Sequence, residues 1–310
     1  MICLSVLIVG SIAFDSVETP RGIVEDELGG SAVYGSLACQ FHLRSNSKEK
    51  TQIVGVVGED FDVQHQEMLM SKGICIDGIE ISPGETFRWQ GKYEGEMDEA
   101  ITLQTDLNVF EHFSPKIPPH YTDSKIVFCA NLHPLIQSTV LDQITSCRLK
   151  ILDSMNLWIS IARDELIAVM KRVDLIIINE GEIAQLTNQT DIPAAIDALK
   201  AEVGDKIFVI KKGSKGSIAL VDGVMIELPS HVPIDAVDPT GCGDSFAGTL
   251  AAHLVKGEGE VTSQELKDAM IHATVTASMN LSTFGTNALQ HLTKEQYEKQ
   301  CSIFSERLNH

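Results

Sequence analysis

The chain has 310 residues, 44% of them apolar and 22% charged, the make-up of an ordinary globular protein whose core needs no disulfide or metal to hold it. Its 24 basic and 43 acidic residues give a net charge of −19, and no stretch is basic enough to follow a nucleic-acid backbone, which argues against that class of partner. Seven scattered cysteines, without a CxxC pair or a zinc-ligand spacing, lead us to expect a reducing, cytoplasmic setting.

The opening MICLSVLIVGSIAF lacks a positive start, and its apolar run ends in Asp15 and Glu18 rather than a small-residue cleavage site. It reads as a buried first strand. No apolar run approaches the length that spans a membrane. Aliphatic runs at 4–10, 51–58, 124–130, 149–154, 174–179 and 206–213 read as strands covered on both faces. Between them, 31–43, 64–73, 138–147 and 192–203 carry apolar residues at helical spacing. The alternation predicts one α/β domain over 1–310, a mostly parallel central sheet with helices on both faces.

Residues 86–95 break this pattern, with Phe87, Trp89 and Tyr93 alternating against Arg88, Gln90 and Lys92. Residues 101–109 alternate likewise through Ile101, Leu103, Leu107 and Val109. Period two around a short polar turn predicts an antiparallel hairpin with its apolar face covered, either an edge of the main sheet or part of a small β-sheet lid. The lid reading takes in strands from about 18–30 and 86–109, and its exposed edge is a surface through which a homodimer can pair. Beyond residue 244 the pattern is helical, with segments at 245–255, 261–281 and 292–308, a loop at 282–289, and a capping box in Thr293 and Gln296.

The stretch DPTGCGDSFAGTL, residues 238–250, carries the chemistry. Phe246, Ala247, Leu250, Ala251, Leu254 and Val255 fall on one helical face, so the helix starts near Gly243 or Asp244. A helix start presents free N–H groups and the positive end of the macrodipole. Gly241 and Gly243 let that backbone turn with no Cβ in the way, and Cys242 between them is small. Together the three make an anion hole. Asp244 then has two readings: a helix cap, or a base that takes the proton of an attacking hydroxyl beside a phosphate.

Here the chain resembles the ribokinase-like, or PfkB, carbohydrate kinases. Residues 238–250 are similar to that family's D-T-x-G-A-G-D signature and the helix after it, with Pro239 where a threonine is usual and Cys242 where another small residue is usual. GGSAVYGSLA at 29–38, VGVVGEDF at 54–61, NEGE at 179–182, KKGSKG at 211–216 and STFGT at 282–286 resemble further family motifs in the family's order. There is no GxxxxGK[ST] and no GxGxxG. The resemblance implies phosphoryl transfer from ATP to an alcohol. It implies Asp244 as base, with Gly241, Cys242 and Gly243 around the transferred phosphate. Asn179 and Glu182 would act near Mg2+, mainly through water, and Lys211, Gly213, Ser214, Gly216 and Thr274 would line the nucleotide. Asp238, with Thr240, stands where some members bind K+.

For the acceptor, the resemblance implies Asp15, Gly29, Gly30 and Tyr34, to which Trp89 of the lid and Asn131 at a strand end are added. Where ribokinases place asparagines and a lysine, this chain has Ala13, Ser31 and Tyr34, which speaks against ribose. Tyr34, Phe14, Phe87 and Trp89 suggest an apolar wall that suits a sugar ring or a nucleobase. A sugar or sugar-like acceptor is the expectation, a nucleoside the alternative, and an idle ligand-binding regulator on the same fold a third reading.

Overall fold

Strand β1 (Leu4–Val9) is enough to make two cores from one sheet. Val6 and Ile8 point to one side and Leu7 and Val9 to the other, all four at 0% exposure, because side chains alternate across a strand. The computed structural model describes residues 4–43, 49–97, 100–231, 233 and 235–308. The further strands are β2 (Ala13–Thr19), β3 (Gly22–Gly29), β4 (Glu49–Val57), β5 (Cys75–Ile81), β6 (Phe87–Tyr93) and β7 (Ala100–Asp106). They continue with β8 (Ile126–Cys129), β9 (Leu149–Asp153), β10 (Leu175–Asn179), β11 (Ile207–Lys211), β12 (Ser217–Val221) and β13 (Val224–Leu228).

Nine of these strands form one sheet in the order β13-β12-β11-β10-β9-β8-β1-β4-β5. Every pair from β11 to β5 is parallel, while β12 and β13 return antiparallel. The helices Ser31–Leu43, Cys242–Leu254 and Ser263–Asn280 cover the Val6 face, and Pro134–Asp142, Arg163–Met170 and Ile192–Val203 cover the Leu7 face. The six aliphatic runs are β1, β4, β8, β9, β10 and β11, as expected. The segment expected as a helix at 138–147 instead runs Pro134–Asp142, because His133 caps it through Nδ1, accepting from the Leu135 N–H at 3.2 Å, and Pro134 suits a first turn. The loop at 282–289 gives way to a short helix, Asn287–His291. The capping box forms: Thr293 N–H donates to Gln296 Oε1 at 3.0 Å, and Gln296 N–H to Thr293 Oγ1 at 3.2 Å.

The other four strands form a second sheet, β3-β2-β6-β7, in which β2 and β6 run parallel between two antiparallel neighbours. The first of these strands begins at Ala13, earlier than the expected boundary near 18, since the chain passes straight from β1 into the second sheet. Its inward face carries Asp15, Trp89 and Tyr93, and the alternate residues Phe14, Arg88 and Lys92 face away. On β7 the apolar residues expected to be covered are not: Ile101 is 49% and Leu103 is 52% exposed. Among the described residues no helix is long and apolar enough to cross a membrane.

Candidate active site

Three neighbouring parallel strands end in polar residues: Asp153 on β9, Asn179 on β10 and Lys211 on β11. Lys211 Nζ donates to Asp153 Oδ2 at 2.8 Å and Oδ1 at 3.1 Å, with the carboxylate 4% exposed. Asn179 and Glu182 form a capping box on the helix Glu180–Thr187. The Asn179 N–H and Nδ2 donate to Glu182 Oε2 and Oε1 at 2.8 and 2.7 Å, and the Glu182 N–H returns to Asn179 Oδ1 at 2.8 Å. Burial pushes the Glu182 carboxyl up to about 7, against the pull of Lys211.

The helix Cys242–Leu254 points its start at this row. Its N-cap is Gly241, at φ 73° and ψ 1°, so the helix begins one or two residues before the expected point and Asp244 lies inside its first turn. No side chain caps this helix start, so Asp244 is not its cap. A Cβ on Gly241 would lie 2.2 Å from the Tyr34 ring, and one on Gly243 would lie 3.1 Å from Lys211 Nζ. Gly241 is therefore fixed by close approach as well as by backbone conformation, while Gly243 leaves room for the Lys211 ammonium. The Cys242 N–H donates to the Pro239 carbonyl at 3.1 Å, so one of the three N–H groups expected in an anion hole is already engaged in a turn. Burial pushes Asp244 up to about 7, with Asp153 adding to the shift and Lys211 opposing it.

Gly241→Ala is expected to lower stability by about 2 kcal/mol and turnover by at least ~100-fold, since it strains a left-handed residue and drives the helix start off Tyr34. Urea unfolding and ADP release measure the two effects.

Ahead of the helix, the buried Asp238 carboxylate accepts from the N–H of Thr240 at 2.9 Å and of Gly285 at 3.1 Å. Thr240 Oγ1 donates to the Tyr93 hydroxyl at 3.3 Å, which docks the second sheet against the loop. Asn280 Nδ2 donates to the Thr240 carbonyl at 2.8 Å, an anchor that its place inside a long helix pattern did not reveal. Asp15 is buried, and burial followed by the charges of Asp238 and Asp244 raises it to about 7, although the Gly30 backbone pulls it down. A Cβ on Gly29 would lie 1.9 Å from Asp15 Oδ2, and one on Gly30 would lie 2.5 Å from the Ser11 carbonyl.

Asp15 and Tyr34, with Gly29 and Gly30 against the Asp15 strand, thus lie within reach of the Asp244 charge. Trp89 is paired in register with Asp15, packed across Gly91 and donating from Nε1 to Thr102 Oγ1 at 3.3 Å. Asn131 is engaged elsewhere: its Oδ1 accepts from Trp158 Nε1 at 2.9 Å and its Nδ2 meets Met155 Sδ at 3.1 Å. Phe14 is no part of an apolar wall, since it packs on Phe61 and His65 on the far side of the second sheet. Phe87 stacks on Phe110 at 5.1 Å.

A cavity of about 580 Å³ opens on the other side of Gly243, lined by Asn179, Lys211, Gly213, Ser214, Gly216 and Thr274. Phe246, Ala277 and Leu281 give it an apolar wall. Its Gly216 has φ 101°, and a Cβ there would meet the Leu228 carbonyl at 2.1 Å. Lys212 and Lys215 line it too, paired with Glu227 at 2.9 Å and Glu180 at 3.3 Å.

A mostly parallel sheet with its polar residues at the strand ends, facing a glycine-flanked helix start and a small second sheet, defines a ribokinase-like fold. The ribokinase of Giardia lamblia superimposes with a TM-score of 0.79 at 16% identity, covering 98% of this chain and 100% of that one. The Burkholderia thailandensis nucleoside kinase, solved in complex with inosine, does so with a TM-score of 0.75 at 16% identity over 96% and 98%. In sequence, the cytidine kinase of Thermococcus kodakarensis is 28% identical over 260 residues, 82% of this chain and 90% of that protein. The profile of the pfkB family carbohydrate kinases matches residues 6–292. The chain belongs to that family, and is a phosphotransferase acting on a hydroxyl group.

Proposed function

We propose that the protein transfers the γ-phosphoryl group of ATP to a hydroxyl of a sugar or nucleoside, with Asp244 as general base. The observation that carries this reading is Asp244 itself: a carboxyl in the first turn of an uncapped helix start, raised by burial and placed between a nucleotide-sized cavity and the Asp15 cluster. A base with its pKa near the working pH suits proton abstraction.

Asp15, Gly29, Gly30, Tyr34 and Trp89 bind the acceptor and direct one hydroxyl at Asp244. The acceptor oxygen bonds to the γ-phosphorus as its proton passes to the Asp244 carboxylate, and the bond from that phosphorus to the bridging oxygen breaks to release ADP. The N–H groups of Gly241 and Gly243 and the positive end of their helix stabilise the charge on the moving phosphoryl group, and Cys242 joins them when its turn bond to Pro239 opens. The second sheet is a lid that keeps water out, docked through Tyr93 and Thr240.

Magnesium fits the charge balance, because Asp153, Glu182 and Asp244 face one ammonium, Lys211, which leaves negative charge unmet. Among the described residues no three His, Cys, Asp or Glu side chains cluster to hold a metal directly, and both Glu182 oxygens already accept from Asn179, so Glu182 and Asn179 would hold the ion through water. Bound there, magnesium would offset charge on the phosphate oxygens. Asp238, buried and raised by that burial, is the ligand we propose for a monovalent cation. A nucleoside acceptor is favoured by Trp89, whose ring lies on the lid face that carries Asp15 and offers a flat surface for a base.

The test is ADP release from Mg·ATP with a panel of pentoses, hexoses and nucleosides. One acceptor is expected to raise the rate at least ~100-fold over the acceptor-free rate. A rate that no acceptor changes, in protein that binds ATP, would favour a regulator that has kept the fold without the reaction.

A further inference from the structure

Cations and acids are unevenly shared across the site. The nucleotide cavity gathers Lys211, Lys212 and Lys215, beside Glu96 and Glu180. On the acceptor side of Gly241 the carboxyl groups that act on Tyr34 are Asp15, Asp238 and Asp244, and those that act on Asp15 are Asp238 and Asp244. The two cations of β6 are turned away by the alternation of the strand. Arg88 lies over the Phe14 ring at 5.1 Å and pairs with Asp26 at 2.5 Å and Asp60 at 2.9 Å. Lys92 pairs with Glu18 at 3.0 Å and Glu94 at 3.1 Å. Lys211, the ammonium nearest the acceptor side, is held by both oxygens of Asp153. The Tyr34 side chain is 1% exposed and its hydroxyl has no hydrogen-bond partner, so a donor stands ready for a neutral oxygen beside the acids.

Building on the kinase reading above, we propose that the acceptor is uncharged: a neutral sugar, polyol or nucleoside, with sugar phosphates, sugar acids and nucleotides turned away by Asp15, Asp238 and Asp244. An anionic acceptor would bring a further negative charge beside buried acids whose nearest ammonium, Lys211, is already held by Asp153, and low polarity strengthens that repulsion. A neutral acceptor meets the same carboxylates as hydrogen-bond acceptors for its hydroxyls, and the Tyr34 hydroxyl as a donor.

The experiment compares the best neutral acceptor with its own phosphate ester and its own carboxylic acid, reading kcat/KM for each as acceptor and the inhibition constant of each anion against the neutral acceptor. We expect the anionic forms to be poorer by at least ~100-fold in kcat/KM and to inhibit weakly. In Asp15→Asn the inhibition constant of the anions should improve about tenfold relative to the KM of the neutral acceptor, which exclusion by size alone would leave unmoved. An anionic acceptor turned over as well as the neutral one overturns the proposal, and so does an Asp15→Asn enzyme whose discrimination is unchanged. If no acceptor of either charge is phosphorylated while ATP binds, the kinase reading falls and this proposal with it.

Discussion

Asp244→Asn is expected to lower kcat by about 10³-fold while leaving the affinity for ATP within about threefold of wild type. The substitution keeps the size of the side chain and the glycine-lined helix start, and removes only the group that can take the acceptor proton. Stability should move the other way. The carboxyl of Asp244 is raised to about 7 in the folded protein, well above its unfolded value, so the stability linked to its proton is fully present below the unfolded pKa and is lost as pH rises through about 7. At pH 8 the wild type carries a charge that burial and Asp153 both disfavour. Asparagine carries none, and the variant should be more stable there by about 1–2 kcal/mol, a figure reduced for the partial exposure of the site. At pH 5 the gain should vanish. Thermal unfolding at the two pH values, beside ATP titration and turnover, separates loss of a base from loss of structure. A variant that keeps near-wild-type turnover would make Asp244 a structural residue.

Lys211→Met is the second large effect. It leaves Asp153, 4% exposed, without its counter-ion and beside Glu182 and Asp244. Breaking a buried pair from one side leaves an unmatched charge, and we expect a loss of about 3 kcal/mol in unfolding free energy. Adding Asp153→Asn removes the stranded charge, so the double variant should recover most of that loss, and the coupling is read from a double-mutant cycle in urea. Lys211 also opposes the rise in the Asp244 pKa, so any activity left in Lys211→Met should need a higher pH. Additive losses in the cycle would show that the pair is not a unit.

The sequence carried the glycine-flanked helix start clearly, because Gly241, Cys242, Gly243 and Asp244 are consecutive and need no tertiary contact to be read together. The six buried parallel strands were as plain, each a short aliphatic run. The strands that escaped lie towards the two edges of the main sheet, and only β12 among them is mostly buried. β5 reads CIDGIEI, with Asp77 and Glu80 breaking the apolar run, and it lies at the sheet edge. β12 and β13 meet at Asp222 and Gly223, which take φ 50° and 75°, and this Asp-Gly pair was a usable hairpin signal.

At the site, Asp153 and Lys211 stand 58 positions apart, and their ion pair depends on β9, β10 and β11 being neighbours, which local pattern does not state. Asn131 sits at a strand end where a ligand contact would be reasonable, yet Trp158 and Met155 take its side chain, and both come from a segment with no motif. Phe14 shows the cost of a one-residue step: in a strand it faces opposite to Asp15, so the two cannot share a pocket wall.

The pH dependence of kcat/KM with saturating Mg·ATP and a neutral acceptor tests the central claim most directly. If Asp244 is the base and is raised as its surroundings require, the rate should fall about tenfold per pH unit below about 7 and level off above it. A profile that stays level from about pH 5 to about pH 9, or one whose acid limb persists unchanged in the residual activity of Asp244→Asn, would contradict it.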